Sequence, residues 1–131
     1  MNGRETSEAV SVSKDKTHDE AAIRERLASL PNWRYTEGAL QRTYETAGWR
    51  ATLMVVTAIG HLCEAAWHHP DLVVSYDSVT VKLSTHSAKG ITDKDFAMAA
   101  KIEEVIAWQP AKEGGALTGP PASQAYLKHD G

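Results

Sequence analysis

Apolar residues recur along this chain with two periods, and each change of period marks an element. From Trp49 to about Ala66, Leu53, Val56, Gly60 and Cys63 fall on one helical face, with Met54 or Val55, Ile59, Leu62 and Ala66 beside it. That i, i+3, i+7 stripe predicts a long helix packed on one side. Pro70 makes continuation past His69 unfavourable. Further on the period drops to two: Val79, Val81 and Leu83 alternate with Thr80, Lys82 and Ser84, the pattern of a half-buried strand. Leu72 to Tyr76 is read as its partner across an Asp77-Ser78 turn. An earlier hairpin is predicted from Trp33–Thr36 and Leu40–Thr46 around Glu37-Gly38.

Two more helices follow from their caps. Thr17-His18-Asp19-Glu20 opens the first, with Thr17 and Glu20 at capping-box spacing and Asp19 as the alternative cap. Ile23, Leu27 and Leu30 mark its face, and Pro31-Asn32 ends it. Thr92 caps the last, which carries Phe96, Ala99, Ile102, Val105 and Ile106 and ends near Trp108-Gln109-Pro110. The order is α-β-β-α-β-β-α. The predicted fold class is α+β: a four-stranded antiparallel sheet with three helices on one face, the other face left to solvent or a partner subunit. Residues 1 to about 16 are polar and are read as a disordered leader. The tail from about 111 is rich in Gly, Pro and Ala and is read as extended, with Tyr126 and Leu127 docking on the body.

At 131 residues and 42% hydrophobic, the chain is expected to be a single domain over 17–131, small enough to gain from oligomerisation. A net charge of −3 supplies no basic field for nucleic acid or anionic lipid. No apolar run approaches the roughly 20 residues of a membrane span, and the start lacks the apolar core of a signal peptide. The expectation is a soluble cytoplasmic protein with no direct nucleic-acid or membrane partner. The one cysteine, Cys63, lies in the apolar stripe and is read as a buried structural thiol.

The chemistry gathers at Glu64-Ala65-Ala66-Trp67-His68-His69-Pro70 and at Ser84-Thr85-His86. Adjacent histidines at a helix end can grip two parts of one ligand. Glu64 precedes His68 by one helical turn, so a helix persisting that far sets its carboxylate beside that imidazole. The second hairpin returns His86 toward His68-His69-Pro70, so Glu64, His68, His69 and His86 are expected to share a pocket. Imidazoles exchange protons at neutral pH. Asp95, three residues after Thr92, suits helix capping. Trp67 and Tyr76 could flank a planar ligand, although packing explains both. A metal site drawn from His61, Glu64, His68, His69 and His86 is the rival reading, set lower because no HExxH, cysteine pair or facial-triad spacing occurs.

The run Glu64-x3-His68-His69-Pro70-x5-Tyr76-x9-His86-x8-Asp95 resembles the signature of the pterin-4a-carbinolamine dehydratase family. Leu30-Pro31-x-Trp33, Gly38-Ala39-Leu40-x-Arg42 and Gly90-Ile91-Thr92 add to the resemblance, which covers roughly residues 20 to 131. It implies an α+β domain assembled as a homodimer or homotetramer. It also implies loss of water from a 4a-hydroxytetrahydropterin to give quinonoid dihydropterin, without metal or cofactor. By position, His68, His69, His86 and Asp95 would be catalytic. Glu64, His68, His69, Pro70, Thr85, His86, Ser87 and Ala88 would bind the substrate. Members of similar sequence also serve as dimerisation factors for transcription regulators or as assembly factors for a carbon-fixing enzyme, which is the non-enzymatic alternative. Departures from the family pattern fall at Thr46–Thr52, Val55-Val56 and Ser87–Gly90. Trp67 departs as well, placed to narrow the pocket or alter which pterin fits.

Overall fold

The computed structural model describes residues 15–129, so the expected disordered leader lies almost wholly outside the described residues. The elements are α1 (Glu20–Arg26), β1 (Arg34–Thr36), β2 (Ala39–Thr46), α2 (Trp49–Ala66), β3 (Asp71–Ser75), β4 (Ser78–Leu83), α3 (Asp93–Ile106) and β5 (Leu127–Lys128). Short 3-10 turns lie at Leu27–Ser29, His86–Ala88, Pro110–Glu113 and Ala122–Gln124. Of the two possible caps of α1, Asp19 holds the place, accepting from the Ala22 amide. At the β1–β2 turn, Glu37 and Gly38 both have positive φ (53° and 76°), as a two-residue hairpin turn requires.

The sheet runs in the order β1-β2-β4-β3, all antiparallel. The strand count differs from the expected four because Lys128 and Leu127 pair with Glu45 and Thr46. β1 reaches only Ala39–Gln41 along one edge of β2, which leaves the far end of that edge open for β5. Tyr126 and Leu127 dock as expected, Leu127 being buried.

The core lies on one face. Val79, Val81 and Leu83 of β4 oppose Tyr44, Arg42 and Leu40 of β2 in register. The helices cover them with Ile23, Val55, Ile59, Cys63, Phe96, Ala99, Ile102 and Ile106. Full burial of each such aliphatic side chain stabilises by about 1.5–3 kcal/mol. One expectation is corrected here. The inward face of α2 is Thr52, Val55, Ile59 and Cys63, while Leu53 and Met54 are 42% and 47% exposed. Thr52 accounts for the rotation: its hydroxyl bonds Thr46 Oγ1 at 2.7 Å and donates to the Tyr76 carbonyl at 2.9 Å. These bonds draw a polar residue inside at the expense of the neighbouring leucine. On α3, Val105 likewise faces out, because Ile102 and Ile106 already fill the inner face.

A part-buried polar cluster ties α3 to the sheet. Glu103 accepts from Trp33 Nε1 (3.0 Å), Tyr44 Oη (2.7 Å) and Arg42 Nε and Nη2 (2.9 and 3.2 Å). Burial works against the charged carboxylate, but these donors and the guanidinium charge outweigh it and hold the Glu103 pKa below the usual range. Burial and the same carboxylate push the Tyr44 phenol far up. Among the described residues, no helix is long and apolar enough to cross a membrane.

Candidate active site

α2 ends in a Schellman motif. The His68 amide donates to Cys63 O at 3.1 Å and the Trp67 amide to Glu64 O at 3.2 Å. Trp67 supplies the left-handed residue, at φ 56° and ψ 47°. A helix closed in this way does not carry the one-turn spacing from Glu64 to His68. The expected Glu64–His68 pair is therefore corrected: Glu64 Oε1 meets His69 Nε2 at 2.8 Å, in an exposed pair. His68 turns inward instead, and its Nε2 lies 2.7 Å from Oδ1 of the fully buried Asp95.

Asp95 is held there by its own helix start. Its Oδ2 accepts from the Thr92 amide at 2.9 Å, completing a capping box with Thr92. The same oxygen accepts from the Thr85 hydroxyl at 2.7 Å. Thr85 and Thr92 hydroxyls stand 2.7 Å apart, and Thr92 Oγ1 accepts from the Lys94 amide. Since Thr85 gives its one proton to Asp95, Thr92 must donate to Thr85. Every donor in the chain is thus assigned, and Oδ1 is left for the imidazole. A neutral His68 then carries its proton on Nε2 and presents the Nδ1 lone pair elsewhere.

The β3–β4 register carries the chain toward His86 on the side of Pro70, but among the described residues no hydrogen bond, ion pair or ring contact joins His86 to Glu64, His68 or His69. Asp71 pairs with Lys82, so the start of β3 beside Pro70 lies against the end of β4. Thr85 bridges to Gly90, which closes the His86–Ala88 turn into a small loop. His86 and Ser87 are exposed and Ala88 half-buried. Through Thr85, His86 is one residue from the His68–Asp95 pair. Tyr76 stands at the other end of β3, about 20 Å from Pro70 by strand rise. There its hydroxyl faces Gly48, where an added Cβ would sit 3.2 Å away. Tyr76 therefore does not flank the same ligand as Trp67.

Between the end of α2 and α3 opens a cleft of about 660 Å³, lined by Leu62, Trp67, His68, Lys94, Met98 and Lys101 among others. Of the expected site residues, His68 forms part of this wall. Trp67 and His69 rings meet edge-on, centroids 4.9 Å apart. The threonine wiring and the two lysines escape sequence reasoning, because both depend on contacts across a loop or between helices. Burial raises the Cys63 thiol to about 11, which keeps it protonated and unreactive at neutral pH. Among the described residues, no three of His, Cys, Asp and Glu are grouped as a metal ion would need.

Comparison with known proteins bears on this arrangement. The model of the family "Pterin 4 alpha carbinolamine dehydratase" matches residues 16–105. A relative from Aquifex aeolicus (strain VF5), named "Putative pterin-4-alpha-carbinolamine dehydratase", is 42% identical over 87 residues, covering 66% of this chain and 88% of its own. One of the same name from Chloroflexus aurantiacus (strain ATCC 29366 / DSM 635 / J-10-fl) is 44% identical over 87 residues, covering 66% of this chain and 94% of its own. The solved structure of a "transcriptional coactivator/pterin dehydratase" from Brucella melitensis superposes with a TM-score of 0.63 at 27% identity, covering 67% of this chain and 96% of that one. With the family model spanning most of its length, this chain belongs to the pterin 4 alpha carbinolamine dehydratase family, a family of hydro-lyase enzymes.

Proposed function

We propose that the chain dehydrates a 4a-hydroxytetrahydropterin to the quinonoid dihydropterin by histidine acid–base catalysis. The observation that supports this reading is the buried relay Thr92–Thr85–Asp95–His68, which fixes one imidazole at the wall of a cleft. The reaction breaks the C4a–O bond, and the oxygen leaves with the electron pair. Hydroxide is a poor leaving group, so it takes a proton and departs as water. N5 gives up its proton, and the freed pair forms the C4a=N5 bond. One proton is donated and one removed, so an acid and a base suffice. Each such transfer contributes about 10²–10⁴-fold.

In this reading, His68 moves one proton through Nδ1 while Asp95 holds Nε2–H and steadies the imidazolium. His69, held by Glu64, and the exposed His86 face the same substrate, and one of them moves the other proton. The backbone at His68–Pro70 and Thr85–Ala88 lines the pterin ring. The test is dehydration of a 4a-hydroxytetrahydropterin by wild type, His68→Ala and Asp95→Asn. The expected result is a fall of about 10²-fold or more in kcat/KM for His68→Ala. A wild type no faster than the uncatalysed reaction would refute the proposal.

The chain is further proposed to act as a homo-oligomer, supported by the exposed Trp49, Leu53 and Met54 on α2 and the open edge of β3. Light scattering that reports a monomer at working concentration removes this part. The word "coactivator" in the name of the Brucella structure supports a second, non-enzymatic role. A partner protein that binds His68→Ala as tightly as wild type would carry it.

A further inference from the structure

The cleft beside His68 carries three side chains that the proposed proton transfers leave unused: Trp67, Lys94 and Lys101. Trp67 is costly to the fold in two ways. Its φ of 56° lies in the left-handed region, where a bulky side chain is an outlier and glycine or asparagine is the ordinary helix end. Its indole is also 74% exposed, so burial returns little. Glycine would close the helix equally well, and among the described residues the one ring contact of the indole is edge-on to His69, so most of its surface is open to a ligand in the cleft.

The lysines point to the character of that ligand. Lys94 and Lys101 sit seven residues apart on one face of α3, two turns or about 10 Å along its axis. Ala97 and Met98 lie between them in the cleft floor, so the path from one cation to the other is apolar. Each ammonium is half-exposed and now pairs with a carboxylate, Lys94 with Asp15 at 2.9 Å and Lys101 with Glu104 at 3.0 Å. The Lys101–Glu104 pair is exposed at both ends, weak in water and readily exchanged for an anion on a bound molecule, while Lys94 keeps half of its surface open beside the more covered Asp15. At about 660 Å³ the cleft is of a size that holds a drug-sized ligand, well beyond a bicyclic ring.

We propose that this cleft takes the ring substituent of the pterin, and that the substituent is an extended one: an aromatic ring followed by carboxylates. Trp67 stacks the aromatic part, and Lys94 and Lys101 meet the carboxylates. The inference rests on the dehydratase reading, which brings the pterin ring to His68.

The test compares calorimetric binding of 7,8-dihydropterin and 7,8-dihydrofolate at low salt. The second adds an aryl amide and two carboxylates to the same ring. Wild type is expected to bind dihydrofolate at least about tenfold more tightly. That ratio should fall toward one in Trp67→Gly and in the double variant Lys94→Ala/Lys101→Ala, and largely survive in Trp67→Phe. Trp67→Gly should also raise the melting temperature, since glycine relaxes the left-handed position, so lost preference there is not lost folding. Equal affinity for the two ligands, no binding of either, or a preference that survives both variants overturns the proposal. Turnover of a 4a-hydroxytetrahydropterin without any ligand preference would sink the substituent site alone. Preference without turnover would sink the dehydratase reading and keep the cleft.

Discussion

Asp95 commits one carboxylate oxygen to its own helix and the other to His68. Its place three residues after Thr92 is legible in the sequence, and the capping box follows from it. The family resemblance makes it an acidic companion of the site histidines, but that it meets His68 is not legible, because that needs the β3–β4 register and the closed loop from Thr85 to Gly90 together. The opposite case is Glu64. Spacing alone points it at His68, and only the left-handed turn at Trp67 sends it to His69 instead. At this scale Thr85 gives the sharpest forecast. Thr85→Val keeps the shape but removes the proton that Asp95 Oδ2 receives. Loss of a buried hydrogen bond to a charged group costs about 1.5–3 kcal/mol, and a loosened Asp95 no longer fixes the imidazole. Denaturant midpoint and kcat/KM should both fall, the latter by about tenfold, a proposed effect of one positioning step. Thr85→Ser should restore most of each. A Thr85→Val enzyme with wild-type kinetics would show that the hydroxyl serves folding alone.

Between elements, the Glu103 cluster fastens α3 to β2 and to Trp33 just before β1, and α3 in turn carries Asp95. The sequence marks none of this. Arg42, Tyr44 and Glu103 are individually ordinary, and only the antiparallel register aims two of them at a helix far along the chain. Thr52 is likewise unreadable as an inward residue, since what draws it in is the Tyr76 carbonyl. The cluster gives stability a pH dependence. Because Glu103 has a folded pKa below its unfolded value, its contribution is fully present above the unfolded carboxylate pKa and is lost as pH falls through the folded one. Glu103→Gln removes the charge that the Arg42 guanidinium meets at 2.9 Å and weakens a part-buried, charge-assisted contact, which costs about 1.5–3 kcal/mol at neutral pH. Urea midpoints of wild type and Glu103→Gln should therefore lie far apart at pH 7 and converge in acid. A gap that stays constant down to strongly acid pH would contradict this assignment.

Across the whole molecule, the alternation of apolar residues and the turn residues suffice to read α-β-β-α-β-β-α and a sheet covered on one face. The periods of 2 and 3.6 are local, and so survive in sequence. Strand order and the fifth strand are not local, and Leu127-Lys128 is too short to announce itself by pattern. Yet that pairing has a consequence for how the molecule opens. With β2, β4 and α3 in place, the pair Leu127-Lys128 is tethered through the irregular stretch that follows Ile106, and it adds two residues of ladder at the edge of β2. Ordering that stretch costs conformational entropy, offset by a two-residue ladder and the burial of Leu127. The segment is thus a clasp, able to detach while β2 and β4 stay paired behind it. Hydrogen exchange should show it: the Ala47 amide, which donates to Tyr126, should exchange through local opening. Amides shared by β2 and β4 should wait for global unfolding. Equal protection at both would mean that the clasp and the sheet come apart as one unit.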